Sequence, residues 1–329
     1  MNVTAGIKKN AFVVVGRVGI DFSPEPAGTG IENAETMMVA MGGSSANIAA
    51  GLVKFGSKAA LVTRVSDDAI GRYCINQLSH YGVDATHVKP ISGEFRNSLA
   101  VYETRVENHN SVIYRNGAAD FQMSVEDVEA VDYTQFGALI TAGTVFAAEP
   151  SRTAAFRAFE LAKAAGLPVI FDVDYRPYSW PSPKVAEDVL SKAGAMADVI
   201  VANDEEFGFM AGGIEKGLAK ARELANSTAS IVVYKMGHLG AVTFVNGTET
   251  PSGIYPVKAL KPTGAGDSFM AGFIASLAAG RDMQDAVMRG SACAAIVVAK
   301  PGCAPAMPTE PELEAFLASH PGPTAPEPL

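Results

Sequence analysis

Residues 262–269 read Pro-Thr-Gly-Ala-Gly-Asp-Ser-Phe and run into an apolar helix. Consecutive small residues at a helix start let backbone N–H groups converge, and with the helix dipole they can hold an anion. Gly264, Ala265 and Gly266 would supply such a hole, and Asp267 beside them could take a proton from an attacking hydroxyl. The same residues also fit a glycine-rich turn with Asp267 as a helix cap. A second group comes early: Gly42-Gly43, then Asn47 one turn into a helix. Paired glycines admit a ligand close to the backbone, and asparagine offers both donor and acceptor to hydroxyl groups. Asp21 follows the first strand and could accept hydroxyl hydrogen bonds or be a solvated loop acid. The segments Phe171-Asp172-Val173-Asp174-Tyr175-Arg176-Pro177 and Ile113-Tyr114-Arg115-Asn116-Gly117-Ala118-Ala119-Asp120 each contain an arginine. Guanidinium is shaped to hold a carboxylate, so Arg115 and Arg176 could embrace an acidic ligand. Either could equally be a surface arginine with a salt-bridge partner.

These groups need a frame. Residues 11–15 are a short β-branched run ended by glycine, the pattern of a buried parallel strand. In GGSSANIAAGLVKFG, Ala46, Ala49, Ala50 and Val53 fall at helical spacing and Gly56 sits at the C-terminal end. Residues 59–65 read as the next strand, and 68–81 as a helix stopped by Gly82. Residues 97–115 differ: SLAVYETRV and SVIYR alternate around Glu107-Asn108-His109-Asn110, which predicts a hairpin. From Phe136 the strands GALITAG, PVIFDVD, DVIVAND and ASIVVYKMG alternate with helices near 151–165 and 184–195, and the last helices fall near 267–279 and 283–299. This rhythm predicts an α/β fold with a doubly wound, mainly parallel sheet and ligands at the carboxyl ends of its strands. One domain is expected over residues 1–320, and PGPTAPEPL, residues 321–329, is expected to be a disordered tail.

Bulk properties narrow the class. A formal charge of −9 argues against a nucleic-acid partner, which selects basic faces. Cys74, Cys293 and Cys303 are too scattered for a disulfide scaffold or zinc site, and the five histidines lack metal-ligand spacing. No apolar run approaches the roughly 18 residues of a membrane span, and Gly16-Arg17 cuts short the apolar stretch after Lys8 and Lys9. A cytoplasmic enzyme without membrane partners is the expectation.

GGSSANIAAGLVKFG is similar to the N-terminal signature of ribokinase-like (PfkB) carbohydrate kinases, and PTGAGDSFMAG to their C-terminal one. The two lie in the right order, and the resemblance runs from Phe12 to about Phe316. It implies ATP and Mg2+, with Asp267 as catalytic base and the Gly264, Ala265 and Gly266 amides as the anion hole. It puts Asp21, Gly42, Gly43 and Asn47 on the sugar, and Asn203, Lys235, Gly237, Gly240 and Thr263 with Gly264 and Gly266 on the nucleotide. Asn203-Asp204-Glu205-Glu206 is similar to the family's NxxE motif, so Glu206 would act on Mg2+ through water. The residues alone also fit an acidic helix start. A small β lid is implied near residues 17–41 and 94–120. In many members it also pairs two subunits, which leaves a homodimer through the lid open.

Tyr114, Arg115, Asp174 and Arg176 lie in segments that resemble the sugar-acid kinases of this family. The FDVDYRP form, and Lys261-Pro262 before TGAGD, resemble the members acting on 5-dehydro-2-deoxygluconate in inositol breakdown more than those acting on 2-dehydro-3-deoxygluconate. A sugar- or nucleotide-binding regulator on the same fold is the non-enzymatic alternative. Many relatives carry Asp-Thr where Lys261-Pro262 stands, and that aspartate helps hold a potassium ion. Lys261 could take over part of the ion's electrostatic role, or its stem could point to solvent.

Overall fold

The run Ala11–Val15 is buried throughout and becomes an inner strand of a large sheet. The structure, a computed structural model, describes residues 3–326. Its strands are β1 (Ala11–Val15), β2 (Gly19–Glu25), β3 (Thr36–Gly42), β4 (Lys58–Ser66), β5 (Val88–Ile91), β6 (Leu99–Tyr102), β7 (Ser111–Tyr114), β8 (Ala138–Ala142), β9 (Val169–Asp172), β10 (Val199–Asn203), β11 (Ile231–Lys235), β12 (Ala241–Val245) and β13 (Thr248–Ser252). Nine form one sheet in the order β13-β12-β11-β10-β9-β8-β1-β4-β5, parallel except where β12 and β13 pair antiparallel at one edge. The chain starts at β1, works outward through β4 and β5, then returns to the other side of β1 at β8. That reversal is the switch point at which open α/β sheets bind ligands.

Alternation sorts the sheet's side chains into two cores. Val13, Leu139, Val169, Phe171, Ile200 and Val232 pack on one face against Ala154, Ala158, Phe159, Leu190 and Phe207 of the covering helices. Phe12, Val14, Ile140, Ile170, Val201 and Val233 point the other way, toward Ile48, Leu52, Met270 and Phe273. Successive strand side chains must face opposite sides, so a parallel strand covered on both faces is apolar at every position. Each such buried side chain stabilises the fold by about 1.5–3 kcal/mol.

The remaining four strands form a small sheet, β3-β2-β6-β7, over the carboxyl ends of the large one. Only Gly16, Arg17 and Val18 join β1 to β2. The predicted hairpin is present as the antiparallel pair β6 and β7. Its first strand stops at Tyr102, because Glu103 turns inward. There it accepts hydrogen bonds from Ile31 N (3.0 Å), Asn110 N (2.9 Å) and Arg105 Nε (2.7 Å). Burial alone would raise this carboxyl, but those donors hold it down at about 2.

The tail departs from expectation. Thr324 N donates to Ile254 O at 2.8 Å, and Ile254 N to Thr324 Oγ1 at 3.1 Å, so the chain is tied down well past residue 320. Residues 327–329 of the expected disordered tail lie outside the described residues.

Candidate active site

A cavity of about 930 Å³ opens where the carboxyl ends of β1, β9, β10 and β11 meet the small sheet. Parallel strands all end on the same side, so residues remote in sequence converge there: Arg17 after β1, Asp172 and Asp174 around the end of β9, Asn203 on β10, Lys235 on β11.

At its centre lies the start of the helix Ala265–Ala278. Gly264 caps it at φ 87°, a left-handed conformation that glycine adopts without strain. The amides of Gly264, Gly266 and Asp267 make no main-chain bond, and that of Ala265 only a long one of 3.5 Å to Pro262 O. Free donors therefore cluster at a positive helix end. Asn47 Nδ2, from the helix Ser44–Lys54, donates to Asp267 Oδ2 at 2.8 Å. Burial pushes the Asp267 carboxyl up to about 7, with Asp174 adding to the rise and Asn47, Arg176 and Arg17 opposing it. Asn47 Oδ1 is buried with no partner.

One end of the cavity holds Asp21, Asn47, Asp174, Arg17 and Arg176. A Cβ on Gly42 would lie 1.9 Å from Asp21 Oδ1, so this backbone must be bare for the carboxyl to fit. Burial raises Asp21 to about 6, against the pull of Arg17 and Lys261. Asp174 adopts φ 35°, uncommon for a residue with a side chain. It accepts from Ser44 Oγ at 2.6 Å and pairs with Arg176 Nη2 at 2.7 Å. Despite its burial, Arg176 and Ser44 hold its carboxyl below the usual range.

The other end holds Glu206, Lys235, Gly237, Gly240 and an apolar shelf that includes Val287 and Val298. Asn203 and Glu206 form a reciprocal cap: Asn203 Oδ1 accepts from Glu206 N and Glu206 Oε2 from Asn203 N, each at 2.8 Å. The acidic helix start is thus real, and Asn203 and Glu206 line the cavity as well. Burial raises Asp172 well above the carboxylate range, with Lys235 opposing and Glu206, Asp174 and Asp267 reinforcing. Burial raises Glu206 too. Lys235 Nζ lies 3.6 Å from where a Cβ of Gly266 would stand. It is therefore beside these free amides.

Three expected ligands do not line the cavity: Tyr114, Arg115 and Gly42, whose missing side chain makes room for Asp21. In the small sheet, Leu99 pairs with Tyr114 and Ala100 with Ile113. The pleat sends Asp21, Ala100, Ser111 and Ile113 toward the cavity and Tyr114 outward, where it is 63% exposed. Arg115 is buried and engaged elsewhere: Nε and Nη2 donate to Asp120 Oδ2, Nη1 to Thr144 O at 2.9 Å, and the guanidinium lies 4.0 Å from the Phe121 ring centre. The salt-bridge reading of Arg115 is the one that describes it. Of the two readings of Lys261, the stem pointing to solvent does not hold. Lys261 is fully buried behind the glycine loop, and Nζ donates to Thr263 O (2.6 Å) and Val297 O (3.2 Å). Arg17, Asp172 and the lid's His109 line the cavity but were not singled out from sequence. For Arg17 and Asp172 the available signal was a charged residue at the carboxyl end of a parallel strand.

Residues 9–310 match the description "pfkB family carbohydrate kinase". The chain belongs to the pfkB family of carbohydrate kinases. It is an ATP-dependent sugar phosphotransferase. The 5-dehydro-2-deoxygluconokinase of Clostridium perfringens is 35% identical over 94% of this chain and 93% of its own. A fructokinase double mutant from Vibrio cholerae, solved with fructose, ADP and a potassium ion, is 25% identical. It superposes with a TM-score of 0.82 over 93% of this chain and 98% of its own. A putative ribokinase II from Escherichia coli, 20% identical, shares the fold with a TM-score of 0.85 over 94% and 99% of the two chains. No helix among the described residues of this kinase is long and apolar enough to cross a membrane.

Proposed function

We propose that this kinase phosphorylates a sugar acid, with 5-dehydro-2-deoxygluconate favoured over 2-dehydro-3-deoxygluconate. The observation that carries the reading is Arg176 on the wall of the cavity end that holds Asp21, the acceptor end in this reading, with its side chain 43% exposed and turned among the site's carboxylates. The form of the FDVDYRP segment and the name of the relatives at 35% identity support the choice of acid.

Asp267 receives the proton of the acceptor hydroxyl as its oxygen bonds to the γ-phosphorus and the bond from phosphorus to the ADP oxygen breaks. Asn47 aims the carboxylate. The free amides of Gly264, Gly266 and Asp267 hold the transferred group's oxygens, so the chain contributes positioning and charge neutralisation. Asp21, the unpartnered Asn47 Oδ1 and the backbone at Gly43 hold sugar hydroxyls, while Gly42 makes room for Asp21. Asn203, Lys235, Gly237, Gly240 and Thr263 border the nucleotide. Glu206, with Asp172, would hold Mg2+ through water. The two buried carboxyls suit a cation. Magnesium supplies neutralisation of charge between the phosphates. The lid's outer face presents Val39, Val112 and Tyr114 to solvent, a surface suited to a second copy of the chain.

A coupled ADP-release screen over sugar acids, ketoses and nucleosides tests the reading. Turnover should be fastest with a hexonic acid; faster turnover of fructose, ribose or any nucleoside would defeat it.

A further inference from the structure

Arg17 is 8% exposed, lines the acceptor end and makes no ion pair among the described residues. Its Nη1 donates to Ser98 Oγ at 3.2 Å, and its Nε is buried without any partner. Asp21, Asp174 and Asp267 feel its charge, but none reaches it as a direct partner. A buried guanidinium with an idle donor is costly, and folded proteins retain one where an anion will meet it. Arg115 is the opposite case, with all three of its nitrogens engaged by Asp120 and Thr144.

We propose that Arg17, rather than Arg115, joins Arg176 in gripping the acceptor's carboxylate and so sets the preference for acids over neutral sugars. Resting on the sugar-acid reading above, this names the residue that enforces it. Arg176 is fastened to Asp174 and half-exposed at the mouth, whereas Arg17 is fixed deeper in the cavity wall. Its carbonyl accepts from Ala46 N at 3.3 Å, anchoring its backbone to the glycine-led helix that also carries Asn47. A carboxylate between the two guanidinium groups would be held from both sides, with its sugar chain directed toward Asp267.

The test compares 5-dehydro-2-deoxygluconate with its carboxamide, at saturating MgATP, in wild type, Arg17→Met, Arg17→Lys and the double variant Arg115→Met/Asp120→Leu. Arg17→Met should raise KM for the acid about 10–100-fold, the worth of a charge-assisted hydrogen bond, and leave KM for the carboxamide and for ATP within twofold. Arg17→Lys keeps the charge but loses the fork and should raise KM for the acid about 3–10-fold. It decides the matter if the methionine variant does not fold. The double variant removes both members of a buried pair and should leave KM for the acid within threefold. Equal changes for acid and carboxamide in the Arg17 variants, unchanged KM in both, or a larger effect from the Arg115 pair overturns the proposal. Wild-type preference for the carboxamide would instead overturn the sugar-acid reading, so the two failures are distinguishable.

Discussion

The two ends of the cavity are built from similar residues in different pairings. At the end with Glu206 and Lys235, burial drives the carboxyls of Asp172 and Glu206 upward, with Lys235 the chief cation opposing the rise. At the end with Asp21, burial raises Asp21 too, but Asp174 is held down by Arg176 and Ser44, and Arg17 makes no ion pair among the described residues. On the reading proposed above, the first pair of carboxyls would meet the nucleotide's cation and Arg17 an anion. Each substrate would then have its own end, although the chain as a whole is acidic.

The largest expected effect breaks the contrast at its centre. Asp267→Asn should keep the fold and KM for ATP but lower kcat by about 10²–10⁴, the range for a lost general base. Retention of more than half the wild-type kcat would leave Asp267 as a structural partner of Asn47 only.

A pH profile sharpens the comparison. Asp267 must be ionised to accept a proton, and its carboxyl is raised to about 7. With both substrates below KM, kcat/KM should therefore fall as pH drops through 7, approaching about tenfold per unit. Asp21, raised to about 6, steepens the fall below that. A profile flat from pH 5.5 to 8 would show that neither group governs the reaction.

The smallest expected effect concerns Lys261. The Vibrio cholerae fructokinase is described with a bound potassium ion, whereas here a buried ammonium lies on the carbonyls of Thr263 and Val297. At constant ionic strength and saturating Mg2+, kcat should differ by less than about twofold among potassium, sodium and a bulky organic cation, since a fixed ammonium would repel a second cation at short range. Fivefold or greater activation specific to potassium would mean that other groups supply a cation site.

The sequence made the frame legible because its signals are local. β-branched runs between helices announced the strands, and glycine-rich helix starts announced the residues that form the anion hole and hold Asp267. Parity and partnership were less legible. Tyr114 and Ile113 are neighbours in a readable hairpin, but which of them faces inward depends on β6 pairing with β2, a contact nearly 80 residues distant in the chain. Arg115 has its acid five residues away, within the very segment that suggested a ligand, and only geometry chose between the two readings. Arg17 stands alone between glycine and valine with no pattern around it. Its isolation in sequence is what becomes idleness in the fold.

The link between β1 and β2 is three residues long, and Arg17 is the middle one. A roof hung from its foundation by so short a strap has almost no slack, and the side chain reaching the acceptor lies on the strap itself. On the proposed reading, a ligand that engages that guanidinium is held by the same three residues that fix the small sheet to the large one.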